Sequence, residues 1–388
     1  MSDLSYAVKL AQKLIRCPSI TPEQAGTLEL LENELALLGF NCTRLAFGEG
    51  KDKIDNLYAE LGDGPAHFAF AGHVDVVPVG SLADWQFDPF QAVIKDGFLY
   101  GRGAADMKTG IAAFISAIKK WQKSSKTRTK ISLIITGDEE ADALNGTSKI
   151  VDWMKEQNIC PDMCIVAEPT SQKQIGDNIR NGRRGSLSGS LTVTGIQGHA
   201  AYPHLASNPI SPLMQMLAPV TSTKLDAGND YFGPSTAEVT GLTTSSSVKN
   251  VIPATATAIF NVRFNTEHSK EMLQGWLEEH FERIANAYNV QFEITWKSNA
   301  APFVTEVGKL TELLSKAIET QTGTIAELST IGGTSDARFI THLCPVAEFG
   351  LVGKTMHQID ENVSIRDIDI LTNIYEDLLH RFDENYEY

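Results

Sequence analysis

Residues 67–78 read HFAFAGHVDVVP, an apolar run that ends in a histidine and an aspartate two positions apart. The apolar run predicts a buried strand, and side chains two positions apart in an extended chain point to the same side. His73 and Asp75 are therefore expected to face one site at the end of this strand. An imidazole beside a carboxylate suits metal binding, because the carboxylate orients the ring or its bound water.

Strand and helix patterns alternate on both sides of this stretch. Helical spacing of apolar residues covers 4–15, and a second helix is predicted over 23–38, with Thr21 and Pro22 as its cap and first turn. Alternation predicts an α/β fold with a mostly parallel sheet. Strands are predicted over 66–71, 130–136 and 163–167, and helices over 110–121 and 146–157.

The pattern changes near Arg184, where alternating strands and separate helices predict an α+β module. Long helical patterns return after Pro302. The length of 388 residues also suits two domains. We therefore predict a discontinuous α/β domain, residues 1–184 and 298–388, interrupted by an inserted α+β domain, residues 185–297.

The amino-acid composition argues against several classes of protein. The net charge of −15 argues against a nucleic-acid surface, which would need a basic face. No apolar run is long enough to span a bilayer, and the first residues lack a secretory signal pattern. Five cysteines, an odd number with a single close pair, predict reduced thiols and a cytoplasmic protein.

Acidic residues follow the predicted strands of the α/β part. Asp106 precedes a helix, Glu139 and Glu140 follow the second strand, and Glu168 follows the third. Taken singly, Asp106 could cap its helix and the glutamates could be solvated turn residues. Together they are expected at one sheet edge, where clustered carboxylates repel one another unless a cation lies between them.

Nitrogen and oxygen donors without a thiolate suit Zn²⁺, Mn²⁺ or Co²⁺, and two ions sharing a carboxylate would use all of these groups. A second ion would need a second histidine. His357, in a loop after a predicted strand at 345–349, is the best candidate in the α/β part. The other histidines lie in strand or helix patterns or in the inserted module: His67, His199, His204, His268, His280, His342 and His380.

This set, in this order, resembles the di-zinc amidohydrolases of the M20 metallopeptidase group. Longer segments are similar to the desuccinylase branch of that family: YGRGAADMK at 100–108, NGRRGS at 181–186, QGHAAYPHL at 197–205, NVIP at 250–253 and LSTIGGTSDARFI at 328–340. The resemblance implies hydrolysis of an N-succinyl diaminopimelate amide. Acetylornithine deacetylation and carboxypeptidase activity remain alternatives.

The resemblance also implies roles for individual residues. Asp106 would bridge two Zn²⁺ ions, for which Co²⁺ can substitute, with His73 and Glu168 on one ion and Glu140 and His357 on the other. Glu139 would be the general base, Asp75 would support His73, and His199 would come from the partner of a homodimer with a shared active site. Contacts to a small dicarboxylate substrate are implied for Arg183, His199, Tyr202, Asn250, Arg263 and Thr334.

Two positions depart from the family pattern, since Ala337 and Gly353 stand where glycine and asparagine are usual. Rival interpretations are weaker. Residues 333–337, GTSDA, resemble a nucleophile elbow around Ser335 but lack its closing glycine. Gly101-x-Gly103 lacks the third glycine of a dinucleotide fingerprint. An inactive binding protein is disfavoured, because Glu139 and every proposed ligand are retained.

Overall fold

The computed structural model describes residues 4–124 and 129–386, apart from the side chains of residues 298 and 299. Two compact units divide the chain. The first comprises Met1–Asn181, Thr305–Ser329 and Ser335–Tyr388, and the second comprises Gly182–Val304 and Thr330–Thr334. Compared with the predicted boundaries, 184/185 and 297/298, the second unit also includes residues 182–184, residues 298–304 and the short segment Thr330–Thr334. The catalytic and dimerisation roles of the two units stay predictions.

The helices and strands carry the following bounds. The helices are α1 Tyr6–Ile15, α2 Thr27–Ala36, α3 Lys108–Ser124, α4 Thr147–Glu156, α5 Ile210–Met216, α6 Ala218–Ser222, α7 Lys270–Tyr288, α8 Lys309–Thr322, α9 Ala337–Ile340 and α10 Ile365–Tyr386. The strands are β1 Asn41–Phe47, β2 Ile54–Leu61, β3 His67–His73, β4 Val93–Lys95, β5 Phe98–Tyr100, β6 Lys130–Thr136, β7 Met163–Val166, β8 Asn178–Arg180, β9 Gly182–Arg183, β10 Gly185–Thr194, β11 Gly198–His199, β12 Thr236–Thr244, β13 Val251–Ile252, β14 Thr255–Phe264, β15 Gln291–Ala300, β16 Phe303–Val304, β17 Glu327–Ser329, β18 Val346–Glu348 and β19 Asn362–Ser364.

The first unit is built on an eight-stranded sheet in the order β1-β2-β6-β3-β7-β18-β8-β17. Its centre is parallel, since β3 pairs in parallel with both β6 and β7, and β18 with β7. Towards one edge, β2 pairs antiparallel with β6 and the edge strand β1 pairs antiparallel with β2. The predicted α/β class with a mostly parallel sheet is confirmed.

Strand β3 lies at the heart of this sheet, and all seven of its residues are buried. A parallel strand covered on both faces is expected to be apolar throughout rather than alternating. Phe70 of β3 stacks on Phe114 of α3 at 4.0 Å and meets Tyr375 of α10 edge-on at 6.0 Å. This packing fixes the position at which β3 ends in His73.

One predicted cap is wrong. Helix α2 begins at Thr27 behind Gly26, whose φ of 79° is left-handed, and Thr21–Pro22 is a cis peptide in the preceding turn. Ile20 pairs with Val76 in an isolated bridge, so this turn runs beside the segment that follows β3. A tertiary contact therefore overrides the local Thr-Pro signal for a helix start.

The second unit contains an antiparallel sheet in the order β12-β14-β10-β15. Buried residues alternate along β10 and β14, as expected for a sheet with one covered face. Helix α7 supplies part of that cover, with Phe281 edge-on to Phe260 at 6.3 Å. Within the described residues, no helix is both long and apolar enough to cross a bilayer.

Candidate metal centre

Asp106 lies between two histidines. Its Oδ1 is 3.0 Å from Nε2 of His73, and its Oδ2 is 3.3 Å from Nε2 of His357. The same His357 nitrogen lies 2.9 Å from Oε1 of Glu140. One carboxylate with an imidazole on each oxygen has the arrangement that a ligand shared by two cations requires.

The ligand-type residues form two overlapping groups. His73, Asp106 and Glu168 bring donor atoms within 4.8 Å of one another, and so do Asp106, Glu140 and His357. These five are the predicted metal ligands, so the fold brings together what the sequence separates. Their nitrogen and oxygen donors fit divalent ions such as Zn²⁺.

Neighbouring strands explain this convergence. His73 ends β3, Glu139 and Glu140 follow β6, and Glu168 follows β7, all in one parallel part of the sheet. Side chains after the carboxyl ends of parallel strands meet at a single edge. Asp106 comes from the turn before α3, and the peptide bond after it is cis.

The pKa values in this cluster are shifted because its charged groups lie close together. Burial alone would lower the pKa of His73, but hydrogen bonding and the charge of Asp106 raise it well above its ordinary value. Hydrogen bonds to Asp106 and Glu140 raise the pKa of His357 to about 10. Despite burial, the two imidazoles hold the pKa of Asp106 well below its usual range. The site thus favours positive charge on both sides of Asp106, where divalent cations would also be stabilised.

Asp75 lies beside the His73 ring, as expected, and it also contacts the loop of the two glutamates. Nδ1 of His73 donates to the backbone carbonyl of Asp75 at 2.9 Å, and Oδ1 of Asp75 is 3.8 Å from the same nitrogen. The carboxylate also accepts backbone N–H groups from Glu139 at 3.2 Å and Glu140 at 3.0 Å. Asp75 therefore shapes the loop that carries both glutamates.

Glu139 lies next to the ligand groups. Its carboxylate, with His73 and Glu140, forms a further set of donor atoms within 4.8 Å. Burial raises the pKa of Glu139 well above its ordinary value, and the nearby charges of Glu168 and Asp336 add to that effect against the opposing effect of His73. A carboxylate with a raised pKa beside a cluster of ligand-type residues is suited to proton transfer.

Two buried residues at this centre, Arg102 and Glu361, were not predicted from the sequence. They form an ion pair at 2.8 Å, and Glu361 also accepts the backbone N–H of Asp106 at 3.1 Å. Their separation of 259 positions left no local pattern to detect. The available signals were an arginine inside the segment YGRGAADMK and a glutamate four positions after His357.

The loop before His357 explains one departure from the family pattern. A Cβ atom at Gly353 would lie 2.8 Å from the carbonyl oxygen of Pro169, so any side chain there would force the loop to shift. Gly353 also donates its N–H to the Ser171 carbonyl at 3.0 Å. The other departure, Ala337, is fully buried at the start of α9.

Three of the predicted substrate residues lie together on the second unit. His199 of β11 pairs with Val251 of β13, and the N–H of Ala200 donates to the Asn250 carbonyl at 2.9 Å. The His199 and Tyr202 rings are 5.7 Å apart, and both residues are exposed. Nδ1 of His199 accepts the N–H of Ala201 at 3.0 Å, which orients the ring.

Arg183, Thr334 and Arg263 also belong to the second unit. Arg183 is buried and donates to the carbonyl of Gly333 at 2.6 Å, so it holds the turn that precedes Thr334. Arg263 is half-buried, and burial together with the nearby charge of Arg184 lowers its pKa. Two cations close together favour an anionic ligand.

Ser335 has the environment of a structural serine. It is buried and donates its hydroxyl hydrogen to the buried carboxylate of Glu348. Activation of a serine nucleophile needs a base such as histidine within hydrogen-bond reach, oriented by a third group. The observed Ser335–Glu348 pair supplies a carboxylate acceptor instead, which disfavours the nucleophile-elbow interpretation.

Comparison with known proteins decides the family. A model of peptidase family M20/M25/M40 matches residues 69–381. The chain belongs to this M20 family. Among curated M20 relatives, a succinyl-diaminopimelate desuccinylase of Rhodospirillum centenum is 48% identical over 377 residues, covering 97% of each chain. A second desuccinylase, of Beijerinckia indica, is 49% identical and covers 97% of this chain and 98% of the relative.

Solved structures share the M20 fold at low sequence identity. An M20 metallo-carboxypeptidase of Sulfolobus solfataricus aligns with a TM-score of 0.78 at 18% identity, covering 98% of this chain and all of the other. A Bacillus subtilis protein described as a dinuclear metal-binding peptidase of this family aligns at 0.72 and 15% identity, covering 97% and 98%. At these identities the match concerns the fold alone.

Proposed function

We propose that this protein hydrolyses N-succinyl-L,L-2,6-diaminopimelate to succinate and L,L-diaminopimelate, a reaction of diaminopimelate and lysine biosynthesis. Support comes from the full-length similarity to desuccinylases at 48% and 49% identity. The observation that carries the chemistry is Asp106, held between His73 and His357 with one carboxylate oxygen towards each.

The proposed cofactor is a pair of Zn²⁺ ions per subunit, for which Co²⁺ can substitute. Asp106 would bridge them, with His73 and Glu168 on one ion and Glu140 and His357 on the other. Two divalent ions held there would lower the pKa of a bound water and polarise the amide carbonyl. The two donor groups within 4.8 Å support this assignment.

In the proposed reaction, Glu139 takes a proton from the attacking water and returns it to the leaving amine. Its raised pKa supports this role, because a carboxylate with a raised pKa is a stronger base for the water proton. Asp75 would hold the backbone of the loop that carries Glu139 and Glu140. His199 donates to the developing oxyanion.

The substrate carries carboxylates, which Arg263 and Thr334 are proposed to bind along with Tyr202 and Asn250. Arg183 acts in the same site, and its hydrogen bond to the Gly333 carbonyl suggests that it also positions the Thr334 turn. The guanidinium group of arginine suits carboxylates. The presence of Arg183 and Arg263 in a chain of net charge −15 therefore supports an anionic substrate.

A homodimer is proposed, with His199 of each subunit serving the site of the other. Strand β12 lies at an edge of the sheet of the second unit, and Leu242 of this strand and Ile259 of the neighbouring β14 are exposed. An open edge strand with exposed apolar side chains beside it favours association with another copy. A cytoplasmic location is also proposed, supported by five free thiols.

Amine release from succinyl-diaminopimelate and from acetylornithine, each with and without a chelator and added Zn²⁺, tests the function. We expect a kcat/KM at least about a hundredfold higher for the succinyl substrate, loss on chelation and recovery with Zn²⁺. Preference for acetylornithine would move the assignment to the deacetylase alternative. Activity that survives chelation, with covalent labelling of Ser335, would favour a serine hydrolase. Substrate binding without turnover would indicate a binding protein.

A further inference from the structure

The buried pair Arg102–Glu361 lies behind the proposed metal centre, within the first unit. Both residues are almost fully buried, and their charged groups meet at 2.8 Å. A buried ion pair gives little net stability, because desolvation offsets most of the attraction. Stability therefore does not explain this pair, and its hydrogen bonds to the surrounding backbone point to another role.

Glu361 saturates its carboxylate with the turn that carries Asp106. Oε2 accepts the N–H of Gly103 at 3.0 Å, and Oε1 accepts the N–H groups of Ala105 at 2.8 Å and Asp106 at 3.1 Å. These bonds fix the backbone on the N-terminal side of the Asp106 side chain. The turn has little regular structure of its own, so the carboxylate determines its shape.

Arg102 connects that carboxylate to two other segments. Its Nη1 donates to the carbonyl of Gln358, the residue after His357, at 3.1 Å, and its Nη2 donates to the carbonyl of Pro78 at 3.4 Å. The guanidinium also lies over the Trp85 ring at 5.3 Å. The pair thus joins the chain after His73, the Asp106 turn and the His357 loop.

We propose that Glu361, through Arg102, is a positioning residue that sets the distance between Asp106 and His357 and thereby the affinity of the ion those two residues share. His357 has a left-handed φ of 60° and is half exposed, so its own packing holds it weakly. This inference rests on the proposed two-ion function. Outer groups that orient metal ligands typically change metal affinity by about 10- to 100-fold when removed.

The test is a titration of metal-free protein with Co²⁺, followed by calorimetry and by visible absorption. Glu361→Gln keeps the size of the side chain, but its amide group would face N–H donors. We expect it to weaken one of the two Co²⁺ affinities by about 10-fold or more, change the absorption of that ion and leave the other affinity within about threefold. Two unchanged affinities would overturn the proposal.

Glu34→Gln is the matched control. Glu34 is also a buried carboxylate of this unit, bonded to Lys13 and Tyr6 at 2.6 Å each, and none of its bonds reaches the ligand loops. We expect it to lower thermal stability without changing either affinity. Equal affinity losses in Glu34→Gln and Glu361→Gln would reduce the role of Glu361 to general stability and overturn the proposal.

Arg102→Lys keeps the test decisive if Glu361→Gln does not fold. Lysine keeps the charge but cannot bond Glu361, Gln358 and Pro78 with one planar fork. We expect a selective weakening of one ion by at least about threefold, and no change would contradict the proposal. If the parent protein itself binds fewer than two Co²⁺ ions, the proposed function fails instead, so the two failures are distinguishable.

Discussion

The carboxylate of Asp75 accepts the backbone N–H of Glu140 at 3.0 Å, although His73 is the side chain to which the sequence links it. Nδ1 of His73 donates its hydrogen bond to the backbone carbonyl of Asp75, and the carboxylate lies 3.8 Å from that nitrogen. Because Asp75 also accepts the N–H of Glu139, a single buried carboxylate sets the start of the loop that carries the proposed base and a proposed ligand. Substitution of Asp75 tests this role in the loop.

Asp75→Asn is expected to lower kcat by about 10- to 100-fold while both metal ions remain bound. The amide would turn one oxygen acceptor into a donor that opposes the N–H groups of Glu139 and Glu140. Steady-state kinetics with metal analysis measures both effects. Asp177→Asn is the control, because Asp177 likewise accepts backbone N–H groups, in its case from Gln172, Lys173 and Gln174. Loss of a metal ion from Asp75→Asn would contradict this prediction and show that the loop held by Asp75 also controls metal affinity.

Substitutions of the two adjacent glutamates should have different effects on metal content. Glu139→Gln is expected to reduce kcat by about 10²- to 10⁴-fold with metal content unchanged, because proton transfer is lost and no ligand is removed. Glu140→Gln should instead lose one ion, since Glu140 contacts His357 at 2.9 Å. Elemental analysis of both purified variants decides the matter, and loss of an ion from Glu139→Gln would make Glu139 a ligand.

His199→Ala tests whether two subunits share the site. Removal of an oxyanion donor should lower kcat by about 10²- to 10³-fold with both metals bound. Mixed dimers of His199→Ala with Glu139→Gln should regain activity, because one of their two sites would contain both native residues. Absence of recovery in verified heterodimers would exclude sharing. Tyr288→Ala, at an exposed end of α7, is the control for surface truncation of the second unit.

His67 predicts a pH dependence of stability away from the metal centre. Burial, with the charge of Lys130, lowers the pKa of His67 to about 4, and its ring bonds Ser132 at 2.8 Å. The unfolded chain therefore binds the proton first. The stability contribution is complete above about pH 6.5 and is lost as the pH falls towards 4. Between pH 7 and pH 5 the loss is about 2 kcal/mol.

Urea unfolding of the parent and of His67→Gln across this range measures that loss. Glutamine can keep the bond to Ser132 but does not titrate, so the variant should show a shallower fall in the free energy of unfolding. His380→Gln is the matched control, because His380 bonds Ser124 at 3.2 Å in an exposed setting. Parallel pH profiles for the parent and His67→Gln would refute the prediction.

Much of the fold was predictable because its signals are local. The apolar runs of β3, β6 and β7 and the helical spacing of α1 and α3 follow from backbone geometry, and each lies close to its predicted range. The start of α2 was not predictable, since Thr21–Pro22 is held in a turn beside Val76. The segment Thr330–Thr334 likewise joins the second unit through tertiary contacts.

The sequence by itself determined the chemistry available to the site, because its ligand-type residues lie at the ends of elements that local periodicity predicts. These residues are His73, Asp106, Glu139, Glu140 and Glu168. Only the tertiary structure decided how these groups are held. Asp75 turns its carboxylate to a backbone from the next strand's loop, and Glu361 reaches Asp106 across 255 positions. Such contacts depend on where strands and loops meet in space, and no periodicity along the chain records that.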